Sequence, residues 1–106
     1  MPKYHFQASY TDKGLSGLLK EGGSKHLMAV AQAISSLGGS MEAFYYAFGD
    51  NDAIFIADLP DRVSTTALSL VMNASGASKV KTMVLITSEE IDQATKKNVN
   101  YRPPGQ

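Results

Sequence analysis

The chain contains no cysteine, and its charges cancel. The absence of cysteine excludes disulfides and thiolate metal ligands, and it fits a reducing cytoplasm. Ten basic and ten acidic residues leave no net charge, so there is no broad basic face to neutralise the phosphates of a nucleic acid. No apolar run reaches the length of a membrane span. We therefore expect a cytoplasmic protein that binds neither nucleic acid nor membrane.

The remaining composition is that of a small globular protein. Hydrophobic residues make up 43% of the 106 residues and charged residues 19%, which is enough apolar material for one core. We expect a single domain over residues 1–98 and an extended tail over residues 99–106.

Apolar periodicity predicts the element order β-α-β-β-α-β with a further helix at the end. The predicted strands span residues 4–10, 40–48, 53–58 and 79–86. The predicted main helices span residues 24–37 and 60–74, a short helical piece lies within residues 11–23, and a terminal helix runs from Thr87 to about Lys97. This order predicts an α+β protein of the ferredoxin-like type, with a four-stranded antiparallel sheet and two helices on one face.

The turn over residues 48–52 (Phe-Gly-Asp-Asn-Asp) joins the two middle strands. Gly, Asp and Asn tolerate the positive φ angles of tight hairpins, so this segment is expected to set the strand register. It also holds two carboxylates, Asp50 and Asp52, close to several aromatic residues. Both carboxylates are equally suited to accepting local backbone hydrogen bonds.

The alternation of side chains predicts two different sheet faces. Small and branched residues of the two middle strands suit contact with helices: Ala43, Ala47, Ile54 and Ile56. The other face is then expected to carry His5, Gln7, Ser9, Phe44, Tyr46, Phe48, Phe55, Met83 and Leu85. Such a face is too aromatic to be covered by water alone. It predicts a homodimer in which two sheets pack face to face around a pocket.

Several short segments, taken in order, resemble the GYD domain family. The matching stretches are residues 10–14, 37–39, 44–52, 58–61 and 87–90, and the resemblance covers most of residues 4–95. The Gly-Tyr-Asp turn of the family is matched at Gly49 and Asp52, while Asn51 stands where the family usually has tyrosine. The resemblance implies a ferredoxin-like, dimeric α/β-barrel protein and supplies no reaction.

Six residues are the candidate ligand contacts: His5, Gln7, Phe44, Tyr46, Gly49 and Asp52. For each one a purely structural role is the alternative, such as a hydrogen-bonded strand histidine or a packed tyrosine. His26 is expected at the surface of its helix. No His, Asp or Glu spacing indicates a metal site, and no cofactor is expected.

Three functions remain open on the sequence alone. The preferred hypothesis is a homodimer, or a higher homo-oligomer, that binds a small, partly apolar molecule between two sheets. The second is a cofactor-free oxygenase or isomerase with His5 or Asp52 as its base, an idea that depends on fold analogy. The third is a structural or regulatory oligomerisation module without a ligand.

Overall fold

The computed structural model describes residues 1–106 as an α+β protein with four strands and four helices. The strands are β1 (Lys3–Tyr10), β2 (Ser40–Tyr46), β3 (Ala53–Asp58) and β4 (Ser78–Leu85). The helices are α1 (Asp12–Glu21), α2 (Gly23–Ser36), α3 (Arg62–Ala74) and α4 (Ser88–Ala94). None of these helices is both long and apolar enough to cross a membrane.

The four strands form one antiparallel sheet in the order β2-β3-β1-β4. The first and third strands lie in the centre, and the second and fourth are its edges. Cross-strand partners lie on the same face of a sheet, so the register decides which side chains lie together on each face. The partner pair Phe6 and Phe55 places both rings on the face that carries the helices.

The core lies between this face and helices α2 and α3. Its buried cluster joins sheet residues to helix residues that include Val30, Ile34 and Leu68. The rings of Phe6 and Phe55 stack with centroids 4.6 Å apart, and Phe44 stacks on Phe55 at 5.5 Å. Aromatic rings of the sheet therefore fill the space beneath the helices.

The predicted face assignment of β2 and β3 is wrong. Phe44, Tyr46 and Phe55 were expected opposite the helices but lie on the helix side, and Phe55 is almost fully buried. Ile54 and Ile56 lie on the other face, because they pair with Gln7 and His5. Phe55 has to share the face of its partner Phe6, and this pairing follows from the register rather than from side-chain size.

The hairpin between β2 and β3 has a longer loop than expected. The second strand ends at Tyr46, and Ala47 donates its backbone N–H to the carbonyl of Asp52 at 3.0 Å. Phe48, rather than a glycine or asparagine, adopts the left-handed conformation, with φ of 53°. A non-glycine residue there costs roughly 1–3 kcal/mol, so the loop carries some backbone strain at its first turn.

A β-bulge interrupts the pairing of β2 with β3 between Met41 and Ala43. The extra residue is Glu42, whose carboxylate accepts a hydrogen bond from Lys3 Nζ at 2.8 Å. Lys3 Nζ also donates to Asp58 Oδ1 at 3.0 Å. These hydrogen bonds to Glu42 and Asp58 raise the pKa of Lys3 above its usual value. The bulge thus places a charged cluster at one corner of the sheet.

Side-chain caps begin three of the helices, as their sequences indicate. Thr11 Oγ1 accepts from the backbone N–H of Gly14 at 3.2 Å, and Asp61 Oδ1 accepts from that of Ser64 at 2.7 Å. Thr87 and Glu90 form a capping box, with reciprocal hydrogen bonds of 3.1 and 2.9 Å. The predicted start of the terminal helix is confirmed, and the helix ends at Ala94.

Residues 86–106 form an arm that extends from the body of the subunit; we call this segment the C-terminal arm. Every residue in it is exposed, and all its hydrogen bonds are local. The radius of gyration is 17.0 Å, and the longest extent is 57 Å. A compact chain of this length has a radius of gyration of about 13 Å, so the arm accounts for the elongated shape.

Candidate functional site

Two regions could bind something: the sheet face without helices and a cavity on the helix side. We call the first region the open face, and its centre consists of His5, Gln7, Tyr45, Ile54, Ile56 and Met83. Tyr45 is 72% exposed and Met83 is 49% exposed. Apolar side chains on a bare sheet face indicate a surface that meets a partner or a ligand.

His5 lies in the middle of the open face. Its cross-strand partners are Ile56 on β3 and Met83 on β4, so apolar side chains flank it on both sides. Its Nδ1 atom is shielded from solvent and has no hydrogen-bond partner. A buried polar atom without a partner is uncommon in folded proteins.

Charged groups occupy two opposite corners of the open face. An acidic cluster of Glu42 and Asp58, bridged by Lys3, lies where β1 begins. A basic cluster of Lys79 and Lys81 lies on β4 near the end of β1, opposite Ser9 and Gln7. The face therefore has an apolar centre and charge of opposite sign at its diagonal corners.

Phe44 and Tyr46 do not join His5 and Gln7, because they lie on the other side of the sheet. Phe44 packs on Phe55 in the core. Tyr46 donates its hydroxyl to the carbonyl of Gly23 at 2.9 Å and so ties β2 to the start of α2. Both residues have structural roles on the helix side, and the six predicted ligand contacts do not form one cluster.

Asp52 and Gly49 lie at the hairpin. Asp52 Oδ2 accepts a hydrogen bond from the backbone N–H of Tyr10 at 2.8 Å, and the backbone N–H of Asp52 donates to the carbonyl of Ala8. These bonds fix the loop to the end of β1. Gly49 is exposed in the loop, and its φ is not positive. Asp52 is therefore a link between strands, and its carboxylate is already engaged.

The second region is a cavity of about 440 Å³ between α1, α2 and α3; we call it the helix-side cavity. Helix α2 packs on β2 and α3 packs on β4, which leaves a space between the two helices. Leu18, Val30 and Met72 are among its lining residues, together with the small residues Gly17 and Ala33. Its size lies within the range of small-molecule sites, and its lining is mainly apolar.

One wall of the cavity is formed by Tyr10 and His26, whose rings meet edge to face at 5.4 Å. Burial raises the pKa of Tyr10 and lowers that of His26, so both side chains are uncharged at neutral pH. The Tyr10 hydroxyl is shielded from solvent and has no hydrogen-bond partner. The predicted surface position of His26 is wrong, since its ring also faces Phe44.

The sequence contained a signal for this cavity that its interpretation missed. Small residues lie at the positions that line this space on two successive helices: Gly17 on α1, and Ala29 and Ala33, one turn apart, on α2. Small side chains on facing helices leave room between them when the helices are held apart by other contacts. His26 lies on the same stripe as Ala29 and Ala33, which places it at this space rather than in solvent.

No acid–base pair is assembled from the predicted catalytic candidates. His5 lies between apolar cross-strand partners, and Asp52 is held by the backbone of Tyr10. No group of three or more His, Asp or Glu side chains is placed to hold a metal ion. The arrangement supports binding, and no observation favours a particular reaction.

The fold is that of an α+β protein whose antiparallel sheet carries helices on one face and exposes apolar side chains on the other. The model of the GYD domain family matches residues 4–95, which is most of the chain. The protein therefore belongs to the GYD domain family, and the resemblance noted in its sequence is confirmed. Comparison with the curated proteins found no match.

Proposed function

We propose that this protein is a ferredoxin-like subunit that forms a homodimer through its open face and binds a small, partly apolar molecule between the two sheets. The observation that carries the proposal is the open face itself. It leaves Tyr45 and Met83 largely in water and His5 Nδ1 without a partner. Packing against a second sheet removes the apolar side chains from water, which is the main driving force for association.

The charges at the corners support a twofold arrangement. A twofold axis between the faces, at right angles to the diagonal that joins the two charged clusters, brings each acidic cluster over the basic cluster of the other copy. Glu42 of one subunit then lies near Lys79 or Lys81 of its partner, and the reverse contact forms by symmetry. Such complementarity favours one register of the two sheets over others.

The C-terminal arm supports the same proposal. Ile86, Ile91, Val99 and Tyr101 are exposed apolar side chains on a segment that has no long-range hydrogen bond within its own subunit. Burial against a second copy is a way to cover them, and an arm that reaches across a dimer adds to its interface. Two sheets joined in this way give the dimeric α/β-barrel arrangement that the sequence resemblance implies.

The ligand is assigned to the centre of the interface. His5 and Gln7 are the polar groups there, and Ile54, Ile56 and Met83 surround them. Two such centres enclose a chamber with a few polar groups in an apolar wall, which is the usual character of small-molecule sites. His5 Nδ1 then has a hydrogen-bond partner in the bound molecule.

The test of the interface is a single charge at its centre. Tyr45→Asp places a carboxylate on the open face at a side chain that is 72% exposed, so the isolated subunit keeps its fold. Sedimentation velocity is expected to show a dimer of twice the 11.4 kDa chain mass for the unaltered protein and a monomer for the variant. The reason is that a buried, unpaired charge is costly at an interface.

Val63→Asp on α3 is the matched control. Val63 is 79% exposed and lies on the helix side, so the same change is expected to leave the dimer intact. An unaltered protein that remains monomeric at high micromolar concentration contradicts the proposal. Equal loss of the dimer in both variants contradicts the choice of face.

The test of the ligand is native mass spectrometry of the purified dimer. A bound small molecule is expected to add to the mass of the unaltered protein and to be absent from a His5→Phe, Gln7→Leu double variant that still dimerises. A dimer that carries no added mass, also after incubation with cell extract metabolites, points to the oligomerisation module without a ligand.

A further inference from the structure

The helix-side cavity is on the opposite side of the sheet from the open face and is not part of the proposed dimer chamber. It exists within one chain, because α1 and α2 form one wall and α3 the other. We propose that it is a second binding site, which takes a small, neutral, ring-containing molecule that carries one hydrogen-bond acceptor, such as a ketone or ester oxygen.

At one end of the cavity, hydrogen bonds hold the start of α1 at a fixed distance from the end of α3. Thr11 donates its backbone N–H to the carbonyl of Ala77 at 3.0 Å and its hydroxyl to that of Gly76 at 2.7 Å. Lys13 Nζ donates to the carbonyl of Ser75 at 3.4 Å. These bonds join the start of α1 to the end of α3. The two walls are therefore fixed at one end and cannot collapse onto each other there.

The shape of the lining argues for a flat, apolar occupant. Gly17 faces open space, since a Cβ atom built on it meets no other atom within 4 Å. Ala29 and Ala33 on α2 and Ala77 next to β4 are also small. Small side chains give a broad, smooth surface, whereas Leu18 and Met72 supply larger apolar contacts. A ring system matches these walls better than a branched or charged molecule does.

The polar groups of the helix-side cavity indicate where a ligand would form a hydrogen bond. Tyr10 lines the cavity, and its hydroxyl is buried without a partner. The hydroxyl is uncharged at neutral pH, so a turn of the side chain would present it to a bound molecule as a hydrogen-bond donor. His26 beside it is uncharged as well. Lys13 and Glu21 also line the cavity, but both are exposed. A charged ligand group held deeper, against Val30 and Met72, would be desolvated without a counter-ion. A neutral molecule with an acceptor oxygen supplies the bond that Tyr10 lacks.

Benzophenone is a suitable probe, because it has two rings, one carbonyl acceptor and no charge. On irradiation its carbonyl inserts into nearby C–H bonds, so peptide mass spectrometry reports where it was bound. We expect saturable adducts on the cavity residues Leu18, Val30 or Met72. Adducts confined to Tyr45 or Met83 on the open face would overturn the proposal, and so would a lack of saturable labelling.

Two substitutions at Gly17 make a matched pair. Gly17→Leu fills open space and is expected to reduce cavity labelling by more than about tenfold, because side chain and probe cannot share the space. Gly17→Ala makes the same gain in helix propensity with only a methyl group and is expected to retain most of the labelling. Equal labelling of the two variants contradicts the proposal.

Tyr10→Phe tests the hydrogen bond without changing the shape of the wall. Half-saturation with benzophenone is expected at a concentration about two- to tenfold higher than in the unaltered protein, the range of a single neutral hydrogen bond. An unchanged half-saturation concentration removes Tyr10 from the site. Sedimentation of Gly17→Leu completes the test: loss of the dimer in this variant would show that a second copy, and not a small molecule, occupies the cavity.

Discussion

Two kinds of polar side chain stand out in this protein. Some form hydrogen bonds that link one strand or helix to another, and others have a buried polar atom without a hydrogen-bond partner. Asp52 is of the first kind, since it links the hairpin to the end of β1. His5 and Tyr10 are of the second kind, and they lie on opposite faces of the sheet. Position in the sequence did not separate these groups, because the distinction depends on which strand lies beside each residue.

Asp52→Ala is expected to lower the free energy of unfolding by about 1–2 kcal/mol, because it leaves the backbone N–H of Tyr10 without its acceptor. Urea denaturation followed by circular dichroism measures the change. Asp50→Ala in the same loop is the control, since Asp50 is exposed and its change is expected to stay within about 0.5 kcal/mol. Equal effects of the two substitutions would contradict the structural role of Asp52.

His26 is expected to make the stability depend on pH below neutrality. Burial lowers its pKa, so the unfolded chain takes up a proton at a higher pH than the folded protein does. The free energy of unfolding is therefore expected to fall between about pH 7 and pH 5. Because the ring is only partly buried, the part due to His26 is less than about 1 kcal/mol.

Urea titrations at pH 7.5 and 5.5 measure this dependence, and His26→Gln is expected to reduce the decrease. The other titratable groups remain in both proteins, so the comparison isolates the contribution of His26. The same decrease in the variant and in the unaltered protein would assign the pH dependence to other groups.

At the scale of helices and strands, local patterns predicted the order of the elements but not their faces. The alternation of β1, the stripe of α2 and the caps at Asp61 and Thr87 are local signals, and the structure confirms them. The faces of β2 and β3 depend on a bulge at Glu42 and on the pairing with β1. Contacts between residues far apart in sequence set both features.

The third helix is another case in which the sequence pattern does not show which face is buried. Its apolar residues Val63, Leu70 and Val71 are exposed, while Thr65 and Leu68 are buried against the sheet. The buried stripe is thus set by where the helix crosses β4 rather than by the largest apolar side chains. The helix-side cavity was missed for the same reason, because the distance between α2 and α3 is a property of their packing.

Two glycines of α1 provide a test at this scale. A Cβ atom on Gly14 collides with the backbone carbonyl of Ala77, whereas one on Gly17 meets open space. Gly14→Ala is therefore expected to destabilise the protein by more than about 2 kcal/mol, because α1 has to move away from β4. Gly17→Ala is expected to stabilise it by about 0.5–1 kcal/mol through helix propensity.

Thermal and urea unfolding of the two variants measure the difference. The substitutions are identical in chemistry and three residues apart on one helix, so each is the control of the other. Similar stability of the two variants would contradict the close approach of α1 to the segment before β4.

The whole molecule consists of a packed body and the C-terminal arm. The body holds the core, the open face and the cavity, while the arm adds length without adding a contact to the core. The direction of its helix could not be predicted from sequence, because the capping box at Thr87 specifies a helix and not where that helix points. In the proposed dimer, the arm therefore serves contacts between the subunits.

Removal of residues 87–106 separates the contribution of the arm to the stability of the monomer from its contribution to the dimer. At concentrations where the protein is monomeric, the free energy of unfolding is expected to change by less than about 0.5 kcal/mol, since no core contact is lost. At higher concentrations, sedimentation equilibrium is expected to show a dimer that dissociates at least about tenfold more readily. A truncated monomer that unfolds at much lower urea would contradict the independence of the arm.

The bulge at Glu42 also bears on fibrous aggregation. An edge strand with a continuous row of free amides can accept further strands and grow into a fibril. On β2 the bulge breaks this row and adds a carboxylate, and on β4 the edge carries Lys79 and Lys81. The chain has no net charge to keep copies apart. The bulge on one edge and the lysines on the other therefore disfavour the addition of further strands.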